Sequence, residues 1–297
     1  MVISIISGKG GTGKTTIAVN LAAAYLLDIQ DSKENSLLLL DCDVEEPNAA
    51  LFLNPEFDCN ESVHQPIPVF DEQLCTHCGR CAEVCRYHAI AVTKEKLIFF
   101  SELCHACGSC VLNCPDGAIT ETQVEVGVIQ HGWAEKIEFA HGRLNIGQPS
   151  SVPIIRHMKA KFITNNDHPP TITIIDSSPG VTCPVVASLH GSDIVLLVTE
   201  PTPFGLHDLR QAYQLVHEEL NIPAFVVINK CDLGDNSVDQ FCNAEKIPIV
   251  MRVPFKREYA NTYSKGELLV QVHPELHAAF AELVDFINQQ RLKKVQL

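Results

Sequence analysis

The 297-residue chain has no apolar run long enough to span a membrane. Clean apolar stretches such as Leu37–Leu40 and Ile194–Val198 fall far short of the ~20 residues that a spanning helix needs. Basic charge is scarce: 22 Lys and Arg stand against 36 Asp and Glu, a net charge of −14. That balance argues against a nucleic-acid grip as the main task. No basic region leads into a long apolar stretch at the N-terminus, so no secretory signal is evident and a cytoplasmic protein is expected. The 13 histidines contain no H-E-x-x-H. His273 and His277 stand four apart, but Pro274 marks a helix start between them and no further ligands lie nearby. At 46% apolar and 20% charged, the chain is neither disordered nor fibrous.

What is present is an alternation. Residues 2–7 (VISIIS) are apolar and mostly β-branched, Thr15–Asp28 is helix-like and rich in Ala and Leu, and Leu37–Asp41 is a second short buried strand. Further apolar runs follow at Ile172–Asp176, Ile194–Thr199, Ala224–Asn229 and Pro248–Val253. Helix-like stretches such as Gly205–Leu220 lie among them, and Pro274–Arg291 closes the pattern. Continuous apolar strands alternating with helices predict an α/β fold, a doubly wound and mostly parallel sheet covered on both faces.

The alternation stops between Asp58 and about Gln123, where eight of the 13 cysteines lie between Cys75 and Cys114. CTHCGRCAEVCRYHAI (75–90) and CHACGSCVLNCPDGAI (104–119) superpose at an offset of 29. They share all four cysteines, Gly79 with Gly108, and an Ala-Ile pair. A period seen twice predicts a small pseudo-twofold domain inserted after the second strand. The predicted division is residues 1–60 and 120–297 for the α/β domain and 61–119 for the insert. C-x₂-C-x₂-C-x₃-C, twice and the second time before Pro115, is two-cluster ferredoxin spacing, in which the fourth cysteine of each run serves the other cluster. Cys75, Cys78, Cys81 and Cys114 are therefore expected on one [4Fe–4S] cluster, and Cys104, Cys107, Cys110 and Cys85 on the second. The spacing suits structural zinc poorly, since zinc sites use separated C-x₂₋₄-C pairs. Arg86 stands where Pro115 follows the other run; it either raises the potential of a nearby cluster or is a solvated side chain.

Between the first strand and first helix runs Gly8-Lys9-Gly10-Gly11-Thr12-Gly13-Lys14-Thr15. This fits G-x-x-x-x-G-K-[ST] in the context the motif demands. Such a loop turns successive N–H groups onto phosphates, and the helix N-terminus adds partial positive charge. Lys14 is expected on the β/γ-phosphates and Thr15 on Mg²⁺. Lys9 is a second lysine so early in the loop that it is either solvated or directed at a nucleotide on a second subunit.

Together with Thr16, the loop resembles the deviant Walker A of the MinD/ParA/Mrp and nitrogenase-iron-protein group of P-loop ATPases. With the insert, the whole chain resembles MinD-superfamily ATPases containing an inserted two-cluster ferredoxin domain. The resemblance implies ATP, Mg²⁺ and a nucleotide-dependent homodimer in which Lys9 acts across the interface; with no ready arginine finger visible, hydrolysis is expected to be slow. Asp41-Cys42-Asp43-Val44-Glu45-Glu46-Pro47-Asn48 resembles the family's first switch, with Asp43 orienting the attacking water. Asp176-Ser177-Ser178-Pro179-Gly180 resembles Walker B and the second switch, with Asp176 on Mg²⁺ and the Gly180 N–H sensing the γ-phosphate. Asn229 and Val253-Pro254-Phe255 lie where the family holds the base. Asn229-Lys230-Cys231-Asp232 also reads as the guanine-binding N-K-x-D, so GTP stands as the alternative to ATP.

Three uses of these parts compete: nucleotide-gated electron transfer from the clusters to a partner protein, carriage or maturation of a cluster for an acceptor, and redox-sensed positioning. Electron transfer is preferred, because eight full ligands leave none easily vacated. Nucleic acid is not an expected partner. Leu276, Phe280, Leu283, Val284 and Ile287 share one face of the last helix (276–297), before Lys293-Lys294. So sparse a basic charge predicts docking on the chain's own sheet rather than on a membrane.

Overall fold

The computed structural model describes residues 1–28 and 36–295. The last two residues of the helix expected over 276–297 lie outside that range. Among the described residues, nine strands form one sheet. Its parallel part comprises β1 (Val2–Ile6), β2 (Leu37–Asp41), β7 (Ile137–Leu144), β8 (Ile172–Asp176), β9 (Ile194–Thr199), β10 (Ala224–Asn229) and β11 (Ile249–Val253). Two long strands, β3 (Glu56–Phe70) and β6 (Ile119–Ala134), complete it in the order β11-β10-β9-β1-β8-β2-β7-β6-β3. The segments that lead into and out of the cysteine-rich stretch are thus paired strands, antiparallel to one another.

The central strands are buried on both faces, as their unbroken apolar runs require. Ile3, Ile5, Leu37, Leu39 and Ile174 face one layer, formed by α1 (Lys14–Asp28) and the terminal helices α9 (Arg257–Ser264), α10 (Leu269–Val272) and α11 (Pro274–Val295). In that layer Leu276, Phe280, Leu283, Val284 and Ile287 are at most 2% exposed, so the apolar face of α11 docks on the chain's own sheet. The opposite face packs on α5 (Val152–Lys159), α6 (Cys183–Leu189), α7 (Pro203–Tyr213) and α8 (Ser237–Glu245). Lys159 is buried there and donates through Nζ to the carbonyls of Ala187, Ser188 and His190 at the end of α6. Short α2 (Ala50–Leu53) follows the loop after β2.

Beyond the sheet, β3 and β6 run on as a two-stranded arm. At its tip are α3 (Arg80–Val84), the hairpin of β4 (Ile90–Val92) with β5 (Leu97–Phe99), and α4 (Ser109–Leu112). The 29-residue repeat extends to the pairing itself: Ile90↔Phe99 in the hairpin matches Ile119↔Phe70 at the end of the arm. Cys81, Cys110, Ile90 and Ile119 form a small core of their own, with Phe70 and Phe99 5.5 Å apart against it.

His141 on β7 lies in register with Asp41 on β2 and Gln130 on β6. Its Nε2 is 2.9 Å from Gln130 Oε1. Burial, then the charge of Arg143, lowers its pKa to about 4. The folded value lies below the unfolded one, so its contribution is present above about pH 6.5 and lost as pH falls toward 4. Going from pH 7 to 5 is expected to cost the native protein about 2 kcal/mol more than it costs His141→Gln. Denaturant unfolding of both proteins at the two pH values measures the difference.

Candidate functional site

The parallel strands bring their C-terminal ends to one edge, where open α/β sheets bind ligands. Ser7 follows β1, Asp41 ends β2, Asp176 ends β8, Thr199 ends β9, Asn229 ends β10 and Val253 ends β11. A cavity of about 550 Å³ opens along that edge. Gly10, Gly11, Gly13, Lys14, Thr15 and Thr16 line it on one side, Asp43 and Pro179 on another, and Asn229 and Pro254 on a third. Gly13 has φ +95°, and a Cβ there would lie 2.4 Å from Asn229 Nδ2. That amide donates to Thr12 O at 2.8 Å. Asn229 therefore locks the loop from behind.

Acidic groups gather opposite Lys14. Asp176 is fully buried, and neither carboxylate oxygen makes a well-formed hydrogen bond. Burial raises its pKa, while Lys14 and the nearby Thr15 hydroxyl lower it. An orphaned buried carboxylate beside a threonine hydroxyl fits a divalent cation, so Asp176 and Thr15 could hold Mg²⁺. Asp43 is raised by burial and by Glu45 and Glu46, against the pull of Lys14 and the Ser178 hydroxyl.

Asp41, to which the sequence reading gave no role, organises the first-switch segment. Its carboxylate accepts the N–H groups of Asp43 at 3.1 Å and of Asn48 and Ala49 at 3.0 Å. Burial and the neighbouring Asp176, its register partner across β2 and β8, push its pKa well up.

Other expected residues stand apart from the cavity. The Lys9 ammonium is 3.9 Å from Glu200 Oε2, whose other oxygen takes Lys230 at 2.6 Å. The Gly180 N–H donates to Ser7 O at 2.8 Å. Gly8 packs on α7, where a Cβ would lie 2.4 Å from Asp208 Cβ. Asp232 of the N-K-x-D match accepts the Phe255 N–H at 2.6 Å, and so braces the loop after β11. Sequence reasoning also missed the aromatic wall of Tyr259 and Tyr263. Their i, i+4 spacing on α9 was the available signal.

The eight clustered cysteines are free and sort into two small separate cavities. Cys75, Cys78, Cys81 and Cys114 line one, and Cys85, Cys104, Cys107 and Cys110 line the other. Each set takes three residues from one run and the fourth from the other. The backbone repeats with the sequence: His77 and Ala106 have φ +57° and +51°, and Gly79 and Gly108 +80° and +71°. The Ala89 and Ala118 N–H groups each donate to the sulfur four residues earlier at 3.3 Å. Among the described residues, no three or more His, Cys, Asp or Glu side chains converge on a single metal ion. Tyr87 stacks on His105 at 3.7 Å beside the second cavity, and Arg86 is exposed.

Sheet order, phosphate loop and edge cavity together define a P-loop nucleotide-binding protein of the α/β class. The family model of the CobQ/CobB/MinD/ParA nucleotide binding domain matches residues 3–270, and the chain belongs to that family. It is 30% identical to the uncharacterized proteins MJ0579 and MJ0578 of Methanocaldococcus jannaschii, over 289 and 290 residues and 97% of each chain. Among solved structures it resembles the cell division ATPase MinD of Pyrococcus furiosus, with TM-score 0.57, 19% identity, and 97% and 98% of the two chains covered. It also resembles the septum site-determining protein MinD of Pyrococcus horikoshii complexed with Mg-ADP, with TM-score 0.56, 17% identity, and 96% and 95% covered. Identities this low speak for the fold alone.

Lys14→Ala is expected to abolish nucleotide binding by removing the charge set against the phosphates. Gly13→Ala is expected to weaken it about tenfold or more, because a left-handed non-glycine residue costs ~1–3 kcal/mol. Calorimetric titration with Mg-ATP measures both.

Proposed function

We propose that the protein is an ATP-hydrolysing iron–sulfur protein, in which nucleotide-driven changes in a homodimer control electron transfer from two [4Fe–4S] clusters to a partner protein. The sorting of eight cysteines into two four-cysteine cavities, each with its fourth residue from the other run, carries this reading. Such an exchange of fourth ligands is the habit of two-cluster ferredoxins. Cys75, Cys78, Cys81 and Cys114 would hold one cluster, and Cys104, Cys107, Cys110 and Cys85 the other. The clusters, when bound, would supply one-electron chemistry. Backbone N–H groups such as those of Ala89 and Ala118 already point at sulfur, which stabilises reduced charge. We place the inserted unit at residues 61–119 and the nucleotide domain at 1–60 and 120–297, with β3 and β6 crossing both lines.

In the nucleotide site, Gly10, Gly11 and Gly13 bring the backbone to the phosphates and Lys14 meets their charge. Thr15 and Asp176 hold Mg²⁺, and Asp43 orients the attacking water. ATP is favoured over GTP because Asp232, which would have to read guanine, is engaged by the Phe255 N–H. Gly180 senses the terminal phosphate only after leaving Ser7 O, so its N–H is a two-position contact. Lys9, lightly held by Glu200 and 37% exposed along its side chain, is free to reach a nucleotide on a second copy.

Anaerobically purified protein is expected to carry about eight iron atoms. Cys85→Ala, although in the first run, is expected to lose the same cluster as Cys104→Ala while nucleotide binding persists. Iron and sulfide analysis with electron paramagnetic resonance tests this; about two irons, or stoichiometric zinc, would overturn it. Asp43→Asn is expected to keep ATP binding and lose turnover in a phosphate-release assay.

A further inference from the structure

The arm that carries the cysteine-rich unit is tied to the sheet by residues of known position, and the ties end abruptly. Pairing of β6 with β7 stops at Gly127↔Leu144. At the same level the pairing of β3 with β6 slips: Val63 faces Gly127 but His64 faces Glu125, which leaves Val126 as an extra residue. A bulge of this kind bends a ribbon and sharpens its twist.

Inboard of the bulge the arm is pinned. Glu61 meets His157 Nε2 at 2.8 Å and also Lys161. His131 lies between Asp58 at 3.3 Å and Glu138 at 3.0 Å. Outboard, Thr120, Glu121, Thr122 and Gln123 are exposed. The bulge therefore separates a part pinned by these ion pairs from a part whose β6 strand is exposed over Thr120–Gln123.

One residue bridges the bulge and the end of β7. Asn145 donates its N–H to Val126 O at 2.9 Å and its Nδ2 to Glu125 Oε1 at 3.1 Å. The preceding residue, Leu144, donates its N–H to Val44 O at 2.9 Å. Val44 belongs to the segment that Asp41 gathers and whose Asp43 lines the nucleotide cavity. A second contact reinforces the first: a Cβ on Gly142 would lie 2.6 Å from Val44 Cγ1 and 2.5 Å from Ile154 Cγ2. Val44 is thus packed directly on β7 at Gly142, and a shift of Val44 toward that strand presses on it.

We infer that Asn145 and the Val126 bulge form a hinge through which the segment Asp41–Ala49 sets the position of the cysteine-rich unit. The hinge is a positioning device and touches neither nucleotide nor cysteine. It rests on the proposed nucleotide switch: a terminal phosphate that draws Asp43 inward moves Val44, then Leu144 and Asn145, and so the carbonyl of Val126. A small displacement at the bulge is enlarged over the length of the arm. By linkage, whatever holds the arm in one position must in turn bias the nucleotide site.

Hydrogen–deuterium exchange on the intact protein, anaerobic, with Mg-ADP or with Mg²⁺ and a non-hydrolysable ATP analogue, tests the hinge. Exchange within residues 41–49 is expected to differ severalfold between the two nucleotides. Exchange within 119–126 and at Asn145 is expected to differ with it. A response in 41–49 with none in the arm overturns the hinge and leaves the switch standing; no response in either overturns both. Asn145→Pro, which lacks the N–H, is expected to bind both nucleotides and to keep the 41–49 response while losing that of the arm. Asn145→Ala keeps the backbone donor and drops only the tie to Glu125, so it is expected to fold and to show a reduced arm response. An undiminished arm response in the folded variants overturns the assignment to Asn145.

Discussion

Two carboxylates in register at the ends of neighbouring buried strands dominate the nucleotide edge of this protein. Asp41 and Asp176 are both wholly buried, and burial raises the pKa of each, with Asp176 adding to the rise at Asp41 and Asp43 to that at Asp176. Such a pair is costly unless it is partnered. Asp41 is compensated by three backbone N–H groups, and those bonds shape the loop that carries Asp43. Asp176 has no comparable set, only the nearby Lys14 charge and Thr15 hydroxyl. A bound divalent cation would supply what it lacks. The same electrostatic need thus both fixes the switch segment and leaves an opening for a metal–nucleotide complex.

That constraint is passed on along the sheet. The loop that Asp41 holds is seated on β7, β7 pairs with β6, and β6 leads out to the cysteines. A unit carried on two adjoining strands of the central sheet differs physically from one carried on loops. Strands transmit displacement, whereas flexible linkers absorb it. The unit at the tip is also not a free lodger: one of its two hairpins is the end of the arm itself, as the matching pairs Ile90↔Phe99 and Ile119↔Phe70 show.

The parts of this arrangement legible in the sequence are those with a strong local signature. The six parallel strands named above stood out because burial makes them largely apolar, and the phosphate loop because its glycines have backbone reasons. The cysteine sorting followed from spacing and repeat. β3, β6 and β7 were not legible, because Glu56–Phe70 mixes polar residues and two prolines into a strand held by pairing rather than by burial. Asp41 was hidden by its neighbour Asp43, since nothing in D-C-D says which carboxylate faces the cavity and which turns to the backbone. The positions of Lys9 and the Gly180 N–H depend on tertiary partners, Glu200 and Ser7, that are far away in the sequence.

The central claim is that the nucleotide site and the proposed cysteine-held clusters are energetically one system. If so, nucleotide must bind oxidised and reduced protein with different affinity. A tenfold ratio would correspond to about 59 mV in the potential of a one-electron centre. The direct measurement is the affinity of a non-hydrolysable ATP analogue for the intact protein, anaerobic, before and after reduction with dithionite. This account expects the two affinities to differ severalfold and the difference to shrink in Lys9→Ala; equal affinities in both redox states would contradict it.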